Sequence, residues 1–580
     1  MASVDDLFKR PNVPSGALKR KLEVPDAQDR YKAAKLSSNG SPNGHSNGKA
    51  TVEDVAESDD TEAGPALPDD DDDEEGRFFG GGVSGDAAQA LDYVDRQDDA
   101  DEYQEEKIDA AWLKRTSTNF ARKLVKNAEL RSRFEGEPQK FMASEADLDA
   151  EVKSWSLLSE HPELFPAFVE SGSAEKLVQL LSHENTDIAI GAIEIINELL
   201  DEDVQAEQEQ WNQLAGALLE ADLTELLLSN LARLDEENES DRSGVYYSLA
   251  VIESLAGQQT IAERIGTVPL LEWLCVRIQK AEPSVTQNKQ YATEVLQVLL
   301  QSSSILRSRL AKDLDGVDLY LQLLANYRKR DPVKDSTEEE YAENLFDALT
   351  CVIDEEDGKN KFIEAEGMEL ALIMLREGSF SKIRALRLLD HAAGGKAGAQ
   401  AVCERLVEAA GLKIVFSLFK KKTDVSTTEH LIGIYASLLR QLPEGSDARI
   451  RTINKFLEKD FEKIVRIIQL RSEYARKLTP VDDEIKLERR MMDEEEWPER
   501  EDEWYSRRLD GGLFCLQMLD VIIAWLLAED AGARQRIESL LEKAGLDAVQ
   551  KSLAEQADDA EDTDTKDMLT ALASIVYSPT

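Results

Sequence analysis

The stretch from Gly172 to Leu200, GSAEKLVQLLSHENTDIAIGAIEIINELL, most restricts what this chain can fold into. Leu177, Val178, Leu180 and Leu181 make one apolar stripe. The polar run from His183 to Asp187 supplies a bend and a cap, and Ile188, Ala192, Ile195, Ile196, Leu199 and Leu200 make a second stripe at helical spacing. One pair of helices cannot bury both stripes, so the unit needs neighbours on either side. Units of the same kind begin at 221, 266, 316, 367 and 411, each with a small residue, a Leu-rich helix, a polar break and a second apolar helix. Charged insertions such as RKRDPVKDSTEEE, from Arg328 to Glu340, read as loops between them.

The starts are separated by 49, 45, 50, 51 and 44 residues, at or just above the period of about 40–47 of armadillo and HEAT repeats. The expected fold is therefore all-α, a right-handed solenoid of that type. Its terminal repeats leave an apolar face open, so helical caps are expected at both ends. The chain divides into an acidic disordered tail (1–104), a helical N-terminal cap (105–170), armadillo repeats (171–442) and a helical C-terminal cap domain (443–580). In the last region the apolar run 513–527 reads as part of a buried helix starting near Arg507. It contains Gln517 and Asp520 and is shorter than a bilayer requires, so no membrane partner is expected.

Charge narrows the partners. The chain carries 116 acidic against 68 basic residues, a net −48, and the first 110 residues hold only 28 acids and 12 bases of these. A body this acidic argues against direct nucleic-acid binding, which needs Lys and Arg to displace counterions. Basic peptide segments suit it better. The tail combines SSNGSPNGHSNG with an acidic block from Asp69 to Glu75, and has too few apolar residues to offset chain entropy. Within it, Lys19, Arg20 and Lys21, then Arg30, Lys32 and Lys35, form two basic clusters. These resemble a bipartite nuclear localisation signal, which makes importin alpha a partner of the tail and the nucleus the expected compartment.

No nucleotide loop, dinucleotide fingerprint, zinc-protease motif or nucleophile elbow occurs, and neither an enzyme nor a cofactor nor a metal is expected. Cys275, Cys351, Cys403 and Cys515 lack ligand spacing and read as reduced core thiols. Asp390-His391 reads as a solvated or hydrogen-bonded pair on a helix.

The informative feature is a column. Stacking the last helix of each repeat on its apolar residues aligns Asn197, Glu253, Gln297, Asp347, Asp390 and Ala436, with Glu194, Glu198 and Glu294 nearby. Armadillo arrays place this helix along the concave groove, so the column is expected to be a polar ladder, made more negative by the nearby glutamates, for a basic extended peptide. Charge reversal at Glu253, Asp347 and Asp390 is expected to remove binding.

Several blocks go beyond a generic array: KNAELRSRFEGEPQKFMASEADLDAEV (126–152), LLSHENTDIAIGAIEIINELLDED (180–203), LDGVDLYLQLL with ENLFDALT (314–350) and YSRRLDGGLFCLQ (505–517). In this order they resemble the beta-catenin-like protein 1 family. The resemblance implies a nuclear, spliceosome-associated armadillo scaffold. Its partners would be splicing factors of the nineteen complex, including the Myb-like subunit, which present basic localisation-type segments to the groove. The Trp-Asn pairs of the importin groove are absent, which weighs against the alternative of a nuclear transport adaptor. A regulatory platform subunit of an enzyme complex is the other alternative.

Overall fold

The computed structural model describes residues 107–577 except 396, 421–423, 494, 495 and 561. The tail 1–104 and its basic clusters at Lys19, Arg20, Lys21, Arg30, Lys32 and Lys35 lie outside the described residues. Among the described residues all regular structure is helical, as the periodicity predicts.

Each repeat ends in a long helix. These are α1 (Thr186–Leu200), α2 (Glu239–Ala256), α3 (Gln287–Ser302), α4 (Thr337–Ile353), α5 (Phe380–Ala393) and α6 (Val425–Gln441). Each packs on the next in chain order. In α1 the buried residues include Ile188, Ala192, Ile195, Ile196 and Leu199, the stripe read from sequence. The Asn185 side chain caps this helix by accepting from the Asp187 amide. One apolar cluster runs without a break from Trp112 to Val576, because every repeat buries its faces against both neighbours.

The repeats hold three helices where the sequence pattern suggests two. A further helix, such as Gln208–Glu220, Ser304–Asp313 or Glu356–Glu364, precedes each Leu-rich one. At most of these junctions a single residue turns left-handed: Gly172, Asp222, Asp315, Glu366 and Ala410. Gly316, Gly367 and Gly411 therefore follow the turn, and their lack of a side chain serves close packing. A Cβ on Gly316 would lie 2.5 Å from Leu310 Cγ, and one on Gly367 would overlap the Phe362 ring and lie 2.9 Å from the Phe362 carbonyl oxygen. Gly367→Ala is expected to cost about 1–3 kcal/mol by overpacking, read as a lower urea midpoint with an unchanged slope.

The insertion expected as a loop at 328–340 ends sooner. Ser336 caps α4 by accepting from the Glu339 amide, and Glu338, Glu339 and Glu340 form its first turn, where carboxylates suit the helix dipole.

At the N-terminal end Trp112, Phe120 and Phe168 surround the buried Trp155 ring, with centroids 4.9–6.0 Å away. His183 ties this layer to the first repeat, its Nε2 lying 3.1 Å from Asn127 Oδ1. Burial lowers the His183 pKa, so the ring acts as a neutral hydrogen-bonding group.

At the other end lie α7 (Asp447–Met491, broken at Glu458–Phe461), α8 (Trp497–Asp510), α9 (Leu513–Glu529), α10 (Ala531–Asp559) and α11 (Thr563–Ile575). The charged segment after Leu478 stays helical through Pro480 to Met491. The apolar helix begins at Leu513 and not near Arg507. Gly512 at φ 93° breaks the chain there, and a Cβ on it would lie 2.6 Å from Tyr474. No single described helix is long and apolar enough to cross a membrane.

Candidate peptide-binding face

The face built by α1 to α6 presents the stacked column, and the structure divides it into two chemically different halves. On α1, α2 and α3 the carboxylates meet uncharged donors. Tyr247 Oη donates to Glu194 Oε1 at 3.0 Å, Tyr291 Oη to Glu253 Oε2 at 2.6 Å, and Gln290 Nε2 to Glu294 Oε2 at 2.8 Å. Glu198 is half-buried, and burial raises its pKa; a hydrogen bond from Ser156 opposes the rise and Glu194 adds to it.

Three tyrosines knit these carboxylates together. The Tyr246 ring lies 4.9 Å from Tyr291 and 6.1 Å from Tyr247, centroid to centroid. Burial pushes the Tyr247 phenol up to about 12, with Glu194 and Glu198 adding to the shift. Tyr246 is raised by burial, then by Glu253, Glu294 and Asp201. One negative field therefore spans the three helices, lined by aromatic rings. Gln297 is 5 % exposed. Neither its amide nor that of Asn197, which is half-buried, has a side-chain hydrogen-bond partner among the described residues.

On α4, α5 and α6 the column is occupied from within. Arg387 Nη1 donates to Asp347 Oδ1 at 2.8 Å, and Arg384 ion-pairs with Glu343. Burial raises the Asp347 pKa, while Arg387 and then Arg384 pull against it. His430 Nδ1 lies 3.1 Å from Asp390 Oδ2, and a Cβ on Gly433 would collide with that carboxylate. Asp390 and His391 do not form the pair their adjacency suggests. His391 Nδ1 is 3.1 Å from Asp354 Oδ1, because neighbours on a helix point about 100° apart. At the sixth position Ala436 is buried.

Four of these partners, Tyr247, Tyr291, Arg384 and His430, belong to a second column that sequence reading missed. Six residues before the first column stand Gly191, Tyr247, Tyr291, Tyr341, Arg384 and His430. Aligning the same helices six residues earlier would have exposed it, as a change from aromatic to cationic side chains after Tyr341.

The four cysteines are free and buried, and burial pushes each thiol up to about 12. This suits core packing and not nucleophilic chemistry.

Stacked three-helix repeats that carry a continuous polar face on their last helices define an armadillo-type repeat protein. Residues 88–554 match the family described as catenin-beta-like, Arm-motif containing nuclear proteins. The chain belongs to that family. It is 35% identical over 474 residues to the beta-catenin-like protein 1 homolog of Schizosaccharomyces pombe, covering 81% of this chain and 82% of the relative. It is also 35% identical over 453 residues to beta-catenin-like protein 1 of Homo sapiens, covering 76% and 79%.

Proposed function

We propose that this chain is a non-enzymatic nuclear scaffold of the pre-mRNA splicing machinery. In this reading it holds basic, localisation-signal-like segments of splicing factors against α1, α2 and α3. The nuclear assignment is supported by the description of its family. The partners proposed, by resemblance, are nineteen-complex subunits including the Myb-like one, with importin alpha reading the tail.

One observation carries the binding reading: among the described residues Glu194, Glu198 and Glu294 receive only uncharged donors, and they lie beside the half-buried Tyr246 and Tyr247. A lysine or arginine placed there gains an ion pair of about 0.2–1 kcal/mol and a cation–π contact of about 0.5–1 kcal/mol. The Asn197 amide, half-buried on α1, sits on the same column, where it can bond a peptide backbone; Gln297, two helices further on, is buried. Several such contacts together fit micromolar binding, about −8 kcal/mol.

The test uses the full chain as bait in nuclear extract at low and moderate salt, with mass spectrometry of what is retained. Nineteen-complex subunits that are lost as salt rises are the expected result. Recovery of importin beta or a phosphatase chain in their place would overturn the scaffold reading.

A further inference from the structure

We propose that Arg384 and Arg387 are a built-in occupant of the column, filling it at α4 and confining a partner peptide to α1, α2 and α3. This rests on the peptide-binding reading above. Glu343 and Asp347 lie four residues apart on α4, hence on one face, with side chains 41 % and 25 % exposed. They keep enough surface to receive an external cation. The next helix supplies the cations: Arg384 and Arg387, one turn apart on α5, reach back to these two carboxylates.

The arginines are held as a bound ligand would be. The Arg384 guanidinium lies 3.7 Å above the Phe380 ring centroid, and its Nη1 donates to the Phe380 carbonyl at 2.9 Å. Carboxylate on one side and aromatic face on the other is the environment that Glu194, Glu253 and the tyrosines offer an incoming arginine. At the matching register of the second column Tyr247 and Tyr291 supply a ring and a hydroxyl, whereas Arg384 supplies the positive charge itself. A cation tethered by its own helix is always at high effective concentration, so a free peptide competes poorly for the same carboxylates. His430 on Asp390 and His391 on Asp354 extend the internal pairing to the end of the array. Site length, and with it the choice between one and two basic clusters, is thereby set by residues of α5.

The experiment compares two labelled peptides by fluorescence polarisation, one with a single cluster of three lysines and arginines and one with two such clusters joined by an extended spacer. Wild-type chain should bind both alike. Arg384→Gln/Arg387→Gln should bind the two-cluster peptide about tenfold more tightly, the gain expected of two further partly exposed ion pairs, and leave the single-cluster peptide unchanged. Glu343→Gln/Asp347→Asn should change neither affinity. Unchanged or weaker two-cluster binding by a folded arginine variant would overturn the proposal, as would lost wild-type affinity in the carboxylate variant. Wild-type chain that binds neither peptide overturns the underlying peptide-binding reading instead, a result distinct from both.

Discussion

Arg471→Met is expected to destabilise the C-terminal helices by about 3–5 kcal/mol, the loss typical of stranding a buried charge. Asp520 on α9 is fully buried, and its carboxylate accepts from Arg471 Nε on α7 at 2.5 Å. Burial pushes the Asp520 pKa up to about 6 even with Arg471 pulling it down. Without the guanidinium the carboxylate must either stay charged in an apolar layer or take up a proton. Because its folded-state value lies above the roughly 3.9 of an unfolded aspartate, the folded chain holds that proton more tightly. The stability Asp520 contributes is present in full below about pH 4 and lost as pH rises through 6. The deficit of Arg471→Met should therefore be wider at pH 8 than at pH 5, where the orphaned carboxylate is protonated. Urea unfolding followed by tryptophan fluorescence reads both values. The paired change Arg471→Met/Asp520→Leu, which removes the charges together, should recover most of the loss. An Arg471→Met variant within about 1 kcal/mol of wild type at pH 8 would show that the pair is not what holds α7 to α9.

The same aspartate shows what the sequence could and could not reveal. Within the apolar run 513–527 it marks a helix packed in a protein interior, but its partner lies 49 residues upstream in a helix whose charge pattern looks solvent-exposed. Stripes such as Ile188 to Leu200 were legible because burial on one helix face imposes its own period. The first helix of each repeat was not, since a helix such as Gln259–Ile265 shows only Ala262 and Ile265 buried, too few for a period to emerge. The repeat glycines were visible as markers, yet their role was not. That needed the position of Phe362 beside Gly367 and of Leu310 beside Gly316.

The polar column was legible for a related reason: it is a register, and register survives in one dimension. Which carboxylates are already paired is not a register property. Asp347 and Glu253 occupy equivalent places on α4 and α2, yet one is met by Arg387 and the other by the Tyr291 hydroxyl. The difference comes from the following helix, whose side chains reach back across the stack.

That difference fixes where neutralisation should matter. Glu194→Gln/Glu198→Gln/Glu294→Gln is expected to weaken binding of a single-cluster basic peptide by about 2 kcal/mol, roughly thirtyfold, from three partly exposed ion pairs of up to about 1 kcal/mol each. Glutamine keeps an acceptor for the Tyr247 hydroxyl and the Gln290 amide, which now bond Glu194 and Glu294, so the helices should stack as before and the thermal midpoint should barely move. The salt dependence should flatten in parallel, because fewer charges remain for salt to screen. Neutralising Asp347 and Asp390 serves as the contrast. Both already bond groups from the next helix, Arg387 and His430, so their replacement by asparagine should cost stability and leave peptide affinity nearly unchanged. Polarisation titrations at 50 and 200 mM salt on both variants separate the two effects. Equal loss of affinity in both would mean that the peptide runs the full length of the column. Loss in the second alone would move the site to α4, α5 and α6, and full affinity in the triple variant would remove the carboxylates of α1 and α3 from recognition altogether.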